Sequence, residues 1–316
     1  MIINLIPEFL AVHASSGREA AYLAYVERHR PVLEAYWHNY VLDLDSPHTA
    51  EVVARALAAD RDDLRRLIAS VDLEQLAADV LDRAAAVLEL DQDVDVYLTV
   101  GVGAANAAEL VVGGRGAVIV CVEHFTGQPN PDTYGLGLSP QLMPLWIAHE
   151  VAHTVRYTSP GSTSELKRLV AEAGGSYDYW ETGSRAPLRE LLLNEGVAVH
   201  AARAAAPGFA DEEYFGFTRR QYRRMRELES FLFRVVEGDL DRAGLGLRLR
   251  YLSGGMSPAA RLVQGRVLPE RCGYYIGARM AEPLVAERGV AAAARAPAAA
   301  FEAASARASA GRAVGA

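Results

Sequence analysis

Cysteine and long apolar runs are scarce in this sequence of 316 residues. The two cysteines, Cys121 and Cys272, are too few for a disulfide framework and too far apart for a thiolate zinc site. Because no apolar run reaches about 18 residues, the sequence predicts no transmembrane helix. Pro7 and Glu8 interrupt the first apolar residues and no cationic segment precedes them, so we expect no signal peptide. These absences predict buried free thiols in a cytoplasmic protein.

Positive charge is also in the minority. The 32 Lys and Arg side chains are outnumbered by 40 Asp and Glu side chains, and the net charge of −8 disfavours binding to phosphate backbones or anionic membranes. The arginine-rich segment 219–226 fits the solvated face of an amphipathic helix better than a nucleic-acid surface. The segment GVGAAN (101–106) lacks the third glycine of a dinucleotide-binding loop. We therefore expect no nucleic-acid, membrane or dinucleotide partner.

Helical periodicity dominates what is present. Residues 16–90 place apolar side chains three and four positions apart, as amphipathic helices do. Residues 94–100 and 117–125 are rich in β-branched side chains, and the glycine turn 112–116 leads into the second of them, which predicts part of an antiparallel sheet. Further helices are predicted over 139–157, 164–173, 187–206, 217–236 and 269–287.

These patterns predict an α+β chain that is mostly helical. It divides into an N-terminal helical segment (1–90), a main domain (91–288) and an Ala-rich C-terminal tail (289–316). The tail has low complexity, and we expect it to form at most a weak, mobile helix.

The segment LWIAHEVAHTVRY (145–157) carries the strongest chemical signal. On a helix, His149 and His153 share one face and can direct imidazole nitrogens at one ion, while Glu150 can reach a water beside it. About 0.015 such motifs are expected by chance in a chain of this composition. The flanking residues are apolar, so the helix is expected to be buried. The alternative is a polar cluster of the core whose members satisfy one another.

A catalytic zinc site needs a third protein ligand. The metzincin pattern fails, because Arg156 and Ser159 stand where it requires Gly and His. Glu195, in LLLNEGVAVH, lies on an otherwise apolar helix face, where a lone carboxylate is costly unless a metal or a cation binds it. The alternative is a salt bridge to Arg189 or partial exposure. Weaker candidates in the neighbouring sequence are Glu172, Asp178, Glu181 and His200, the last favoured as an ordinary helix histidine.

HEVAH followed by LNEGVA resembles the gluzincins, the clan of thermolysin and the zinc aminopeptidases. The longer pattern IAHEVAHTVRY, LLNEGVAVH and GYYIGAR, within about residues 90–285, is most similar to an uncharacterised bacterial family of Zn-dependent proteases. The resemblance implies a zincin-like catalytic domain at 91–288 with a small, mainly antiparallel sheet, an HExxH active-site helix and a C-terminal helical subdomain. It implies one zinc ion bound by His149, His153 and Glu195, with Glu150 as general base.

Two departures from that pattern concern the ligands and their surroundings. The gap between His153 and Glu195 is longer than in thermolysin or the aminopeptidases. Those enzymes also place an acid four residues after the ligand Glu to orient a histidine, and here that residue is Val199. Support for the two histidines must therefore come from elsewhere.

Hydrolysis also needs a donor to the developing oxyanion. In gluzincins a downstream Tyr or His has this role, and Tyr274 and Tyr275 stand between Gly273 and Gly277, small residues that allow another backbone to approach closely. Two amphipathic core tyrosines are the alternative. His124, at the end of the strand 117–125, is a further candidate if that strand lies along the cleft as an edge.

The sequence thus leads to one main hypothesis and two others. The main one is a zinc metallopeptidase that cleaves a peptide or protein substrate, either internally or from one end. The second is a zinc hydrolase acting on a non-peptide amide or ester. The third is a non-catalytic binding or regulatory protein with a structural zinc site. No oligomeric state is favoured.

Overall fold

The computed structural model describes residues 1–314, with side chains up to residue 308. The fold is α+β and mostly helical, as predicted. The helices are α1 (Ile6–Ala14), α2 (Arg18–Arg28), α3 (Arg30–Tyr36), α4 (Thr49–Ala58), α5 (Asp62–Ser70), α6 (Leu73–Leu88), α7 (Met143–Thr158), α8 (Glu165–Glu172), α9 (Tyr179–Arg185), α10 (Leu188–Ala205), α11 (Arg219–Glu237), α12 (Leu245–Leu252), α13 (Cys272–Arg295) and α14 (Ala298–Val314). None of these described helices combines the length and the apolar character needed to cross a bilayer.

The main sheet has four strands in the order β1–β2–β4–β3. Its strands are β1 (Ile2–Asn4), β2 (Val94–Thr99), β3 (Ala107–Val112) and β4 (Arg115–Cys121). Two small hairpins lie outside it: β5 (Pro129–Asn130) with β6 (Gly135–Leu136), and β7 (Leu262–Val263) with β8 (Arg266–Val267). Within the segment 1–90, predicted as helical, β1 is therefore part of the sheet.

The direction of the strands corrects the mainly antiparallel sheet expected from the sequence. β2 and β4 are parallel, β1 and β2 are also parallel, and in this sheet only β3 and β4 are antiparallel. A strand's apolar pattern tells which face is buried and says nothing about the direction of its neighbour. The chain reverses between β3 and β4 through Gly113 and Gly114, whose φ values of 57° and 78° suit glycine.

Helix α7 lies at the centre of the molecule. It packs on β3 and β4 on one side and on α6 and α10 on others, and every residue from Leu145 to Tyr157 is buried. The chain enters α7 through a 3₁₀ turn at Pro140–Leu142, at the start of the helix predicted over 139–157. A helix enclosed in this way holds its side chains in fixed positions, which matters for the polar residues it carries.

Helices α10 and α13 touch through glycine. A Cβ on Gly277 would lie 1.8 Å from the backbone oxygen of Leu192, and one on Gly196 would lie 2.1 Å from the backbone of Gly277. The close approach predicted from Gly273 and Gly277 is therefore confirmed. It brings the start of α13 against α10, the helix that carries Glu195.

The Ala-rich segment after Gly289 is helical and packed. Gly289 breaks α13 with a φ of 80°, and α14 follows with Phe301 and Ala304 buried. The guanidinium of Arg156 lies 6.0 Å from the centroid of the Phe301 ring. The weak helix expected for this tail is thus a packed one over residues 289–308, because the apolar side chain of Phe301 anchors it to the core.

Candidate metal centre

The two histidines of the HEVAH segment lie one helical turn apart on α7. His149 is 1% exposed and His153 is 2% exposed, and their ring centroids are 4.8 Å apart. The shared helix face explains this pairing, since residues four apart on an α-helix are neighbours.

Glu195 reaches both imidazoles from α10. Its Oε2 atom is 3.2 Å from Nε2 of His149 and 3.6 Å from Nε2 of His153, and all three candidate ligand atoms lie within 4.8 Å of one another. Ligand atoms around a tetrahedral zinc ion with bonds near 2.0–2.1 Å are about 3.3 Å apart. The spacing and the two-nitrogen, one-oxygen donor set therefore fit a zinc ion.

The salt bridge between Glu195 and Arg189, the alternative to a metal, is not formed among the described residues. Arg189 forms ion pairs with Asp241, at 2.8 Å, and with Glu302, at 2.5 Å.

The weaker candidate ligands named from the sequence also have partners outside the cluster. Glu172 pairs with Arg168 and Arg185, Glu181 pairs with Arg185, Asp178 pairs with His38, and Nε2 of His200 lies 2.9 Å from the backbone oxygen of Ala278.

Charge is distributed unevenly over the cluster. Burial lowers the pKa of His149 and so favours its neutral imidazole, the form that binds a metal. For His153 burial acts downward as well, but the carboxylate of Glu195 outweighs it and raises the pKa to about 10. The positive charge of His153 in turn lowers the pKa of Glu195 despite that group's burial. A divalent cation bound here would take the place of the proton on His153.

The Nδ1 nitrogens of the two histidines lack the hydrogen bonds that would fix the orientation of the rings. Nδ1 of His149 and Nδ1 of His153 are buried and have no hydrogen-bond partner among the described residues. Val199, four residues after Glu195, has no polar side chain and cannot supply such a bond. Ring packing restricts the imidazoles instead: His153 stacks on Tyr157 and His149 stacks on Tyr274, with centroids 6.3 Å and 6.0 Å apart.

Glu150 meets a second carboxylate, that of Glu109 on β3. Glu109, Glu150 and His153 offer ligand atoms within 4.8 Å of one another. Burial, followed by the charge of Glu109, raises the pKa of Glu150 well above its ordinary value. A cation beside the Glu150 carboxyl would lower its pKa, because positive charge favours the ionised form.

Two tyrosines hold Glu109 in place. The hydroxyl of Tyr40 donates to Oε2 of Glu109 at 2.8 Å, and the hydroxyl of Tyr157 donates to Oε1 at 3.1 Å. Asn194, next to Glu195 in the chain, donates to the Tyr157 hydroxyl at 2.9 Å. A chain of hydrogen bonds thus links α10 to the carboxyl that faces Glu150.

The two candidate tyrosines point to different places. Tyr274 lines the same cleft as His149, Glu150, His153 and Glu195. Tyr275 donates its hydroxyl to Glu229 at 2.6 Å and lines a separate cavity behind α13. The structure therefore does not bring Tyr275 to the cluster. Consecutive helical residues are about 100° apart, so one side chain of the pair must face away.

His124 does not line the cleft either. Residues Val122–Phe125 form a 3₁₀ turn after β4, and β4 lies between β2 and β3, so it is not an edge strand. Nδ1 of His124 accepts a hydrogen bond from the backbone N–H of Leu136 at 3.2 Å. The edge strand at the cleft is β3, whose Ala107 and Glu109 line it.

The cluster opens into a cleft of about 440 Å³. Besides the polar cluster, its lining includes Asn39, Tyr40, Trp146, Tyr179, Trp180, Arg248, Leu252, Met256 and Arg271. Four of these carry aromatic surface, and two carry a guanidinium. The cleft can therefore hold a group of several atoms next to the candidate ligands.

The sequence reasoning missed Glu109 and Arg271. Glu109 had a usable signal, since it is a lone acid in the apolar segment NAAELVV (106–112), the same argument that singled out Glu195. Arg271 had none, because a single arginine before a helix looks like any surface arginine.

Comparisons with known proteins add no family. No protein-family model matches the chain, and searches of the curated proteins and of the solved structures find no match.

Proposed function

We propose that the protein is a gluzincin-type, zinc-dependent hydrolase that cleaves peptide bonds, with one zinc ion held by His149, His153 and Glu195. The supporting observation is the convergence of two imidazole Nε2 atoms and one carboxylate oxygen in a cleft lining, with Glu150 beside them. Structural zinc sites use four protein ligands, whereas three ligands leave a position open for catalysis. The ligand count favours an enzyme over a protein with a structural zinc site.

The chain's own residues divide the work of hydrolysis. A zinc ion held by His149, His153 and Glu195 would supply a Lewis acid, which favours a nucleophilic water near neutral pH. Glu150 accepts the proton of the attacking water and returns it to the leaving nitrogen. Glu109 restricts the positions open to the Glu150 carboxyl. Tyr274, stacked on His149, is the candidate donor to the oxygen that gains negative charge.

The edge strand β3 supports an extended peptide as the substrate, because a free strand edge binds a peptide through main-chain hydrogen bonds. Two backbone carbonyls of this edge already accept hydrogen bonds from other parts of the chain. The Tyr40 hydroxyl, whose single proton is shared between Oε2 and the backbone carbonyl of Glu109, lies 2.9 Å from that carbonyl, and the Tyr177 N–H donates to the Val111 carbonyl at 3.1 Å. The carbonyls of Glu109 and Val111 are thus occupied by described residues, and Ala107, at the beginning of β3, is left in the cleft lining for a substrate strand, which favours a short contact over a long one.

We further propose that the enzyme acts in a reducing compartment such as the cytoplasm. Cys121 and Cys272 are both free and buried. Burial also raises the pKa of the Cys272 thiol to about 12, which keeps it protonated and unreactive.

The test combines metal content with hydrolysis of a mixed peptide library. We expect about one zinc per chain, loss of activity with a chelator and recovery with zinc. Glu150→Gln should keep the zinc and lower kcat about 10²- to 10⁴-fold, the usual contribution of a general base. Glu181→Gln, at an exposed acid paired with Arg185, is the matched control and should match the wild type. A chain without bound metal, or a fully active Glu150→Gln variant, would refute the proposal.

A further inference from the structure

A guanidinium without a carboxylate partner faces the cleft. Arg271 lines it, and among the described residues it forms no ion pair. Its neighbour Glu270 pairs with Arg261 instead, at 3.2 Å. Water screens the charge of an arginine at an open surface. Arg271 lies beside two aromatic rings in a concave site, where water screens its charge less well.

The position of this guanidinium is well defined. It lies 4.3 Å from the centroid of the Tyr274 ring and 5.9 Å from that of Trp146, both cation–π contacts. A Cβ added to Gly216 would come within 3.1 Å of its Nη1 atom, so the absence of a side chain there leaves room for it. Stacking on planar groups restricts an arginine without using its hydrogen-bond donors.

The backbone of Arg271 has an uncommon conformation. Its φ of 55° and ψ of 26° lie in the left-handed region, which glycine adopts more readily than arginine, at the residue that precedes α13. Such outliers in non-glycine residues gather at functional sites. Here the outlier carries the unpaired cation.

The same two rings connect Arg271 to the candidate metal ligands. The Trp146 ring is 5.6 Å from the ring of His149, and the Tyr274 ring is 6.0 Å from it. The guanidinium is therefore separated from His149 by one layer of aromatic side chains. The distances through Tyr274, 4.3 Å and 6.0 Å, place the guanidinium within about 10 Å of the His149 ring, a span that about three extended residues cover.

The other charged groups of the cleft are already engaged. Arg248 is buried, lies 3.4 Å from the Tyr179 ring centroid and donates to the Tyr177 hydroxyl at 2.8 Å. Glu195 contacts the two histidines, and Glu109 accepts from Tyr40 and Tyr157. Glu150 lies against Glu109. No acid in the described lining neutralises Arg271, so the cleft offers a positive charge to its ligand.

We propose that Arg271 is a specificity-determining residue that binds a carboxylate of the substrate close to the scissile peptide bond. The planar guanidinium, held at its faces by Trp146 and Tyr274, presents its edge N–H donors to a carboxylate. The carboxylate is either the C-terminus of the peptide or the side chain of an Asp or Glu. This inference rests on the proposed function, since it names the substrate class of the same cleft.

The test uses zinc-loaded protein and two matched sets of fluorogenic peptides. One set compares a free C-terminal acid with the corresponding amide, and the other compares Glu with Gln at positions flanking the scissile bond. We expect the wild type to prefer one carboxylate form by about 10- to 100-fold in kcat/KM, mainly through KM, as for a hydrogen bond to a charged group. The set that shows the preference identifies the source of the carboxylate.

Variants assign that preference to the guanidinium. Arg271→Gln should bring the ratio of kcat/KM between the carboxylate and the neutral peptide close to one, and Arg271→Lys should retain part of the preference because the charge remains. Arg266→Gln, at an exposed arginine over Phe231 outside the cleft, is the control and should behave as the wild type. Circular dichroism and thermal unfolding establish that each variant is folded.

Three results would overturn the inference. They are a wild type that treats carboxylate and neutral peptides alike, a preference that survives in Arg271→Gln, and an equal loss of kcat for all peptides, which would mean that Arg271 acts only through Tyr274.

Calorimetry with zinc-loaded Glu150→Gln protein separates this inference from the proposed function. If no peptide is cleaved, the proposed function fails. Binding of the carboxylate peptide that is lost in the Glu150→Gln/Arg271→Gln double variant would still support a carboxylate site.

Discussion

Oε2 of Glu195 lies 3.2 Å from Nε2 of His149, although the two residues belong to different helices and are 46 positions apart in the chain. The contact exists because α7 and α10 pack side by side, with α10 held in turn against α13 through Gly196 and Gly277. The candidate metal centre therefore depends on helix packing as much as on its ligands.

The first prediction concerns metal affinity. Replacing Glu195 by Gln should weaken zinc binding by at least about 100-fold, because loss of an outer partner of a ligand already costs 10- to 100-fold. His200→Ala is the control, since Nε2 of His200 lies next to a backbone oxygen of α13 and outside the cluster. Competition with a chromophoric chelator measures both affinities. Equal affinities would remove Glu195 from the ligand set.

The second prediction concerns Glu109. Glu109→Gln keeps an acceptor oxygen for Tyr40 or Tyr157 but changes the group that faces Glu150, so we expect kcat to fall about tenfold or more while the zinc content stays the same. Glu74→Gln, at a surface residue bonded to Asn4, should leave both unchanged. Steady-state kinetics with metal analysis checks this. If kcat is unaffected, Glu109 does not act on the general base.

The third prediction tests the contact between α10 and α13. Gly277→Ala should destabilise the protein by about 3 kcal/mol or more, because the new Cβ would meet the Leu192 carbonyl at 1.8 Å and neither backbone can retreat alone. Gly246→Ala, in α12 with no atom within 4 Å of the new Cβ, should be neutral or stabilise by about 0.5 kcal/mol. Urea unfolding compares the two. A mild effect at Gly277 would mean that these helices are not in backbone contact.

The fourth prediction concerns a buried ion pair. Nη2 of Arg156 is 2.8 Å from Oε2 of Glu190, and both side chains are buried. Glu190→Leu alone should cost about 3–5 kcal/mol, because it leaves a buried guanidinium unpaired. The Arg156→Met/Glu190→Leu double variant should cost less than the single one. Arg168→Met, which breaks an exposed pair with Glu165, should cost no more than about 1 kcal/mol. A double variant less stable than Glu190→Leu would contradict this account.

The fifth prediction concerns pH. The carboxylates of Asp43 and Asp178, 2.5 Å and 3.1 Å from the ring nitrogens of His38, raise the pKa of this histidine. A raised pKa contributes stability that is complete below the unfolded pKa, near 6.5, and is lost as pH rises through the folded value. Because His38 is 41% exposed, His38→Gln should cost only about 0.5 kcal/mol at pH 5.5, and less at pH 9.

Urea unfolding at the two pH values measures the cost of His38→Gln, with the exposed His48→Gln as the control. A cost that is the same at both pH values, or larger at pH 9, would show that the charged imidazole does not stabilise the folded chain.

Much of the candidate site could be predicted from local sequence patterns. The i, i+4 spacing of His149 and His153 requires only a helix, and a lone acid on an apolar helix face marked Glu195 without knowledge of its partner. The same reasoning applied to strand β3 would have found Glu109. The helices were predicted well because their period of 3.6 residues appears within a single segment.

The sequence by itself determined the helical character of the chain, the face shared by His149 and His153, and the need of Glu195 for a partner. Only the tertiary structure decided that β2 and β4 run parallel, that Tyr274 faces the cleft while Tyr275 faces away, and that Arg271 lines the same cleft with no ion-pair partner among the described residues. The first set depends on periodicity and desolvation within one element. The second depends on contacts between segments far apart in the chain, which no local pattern records.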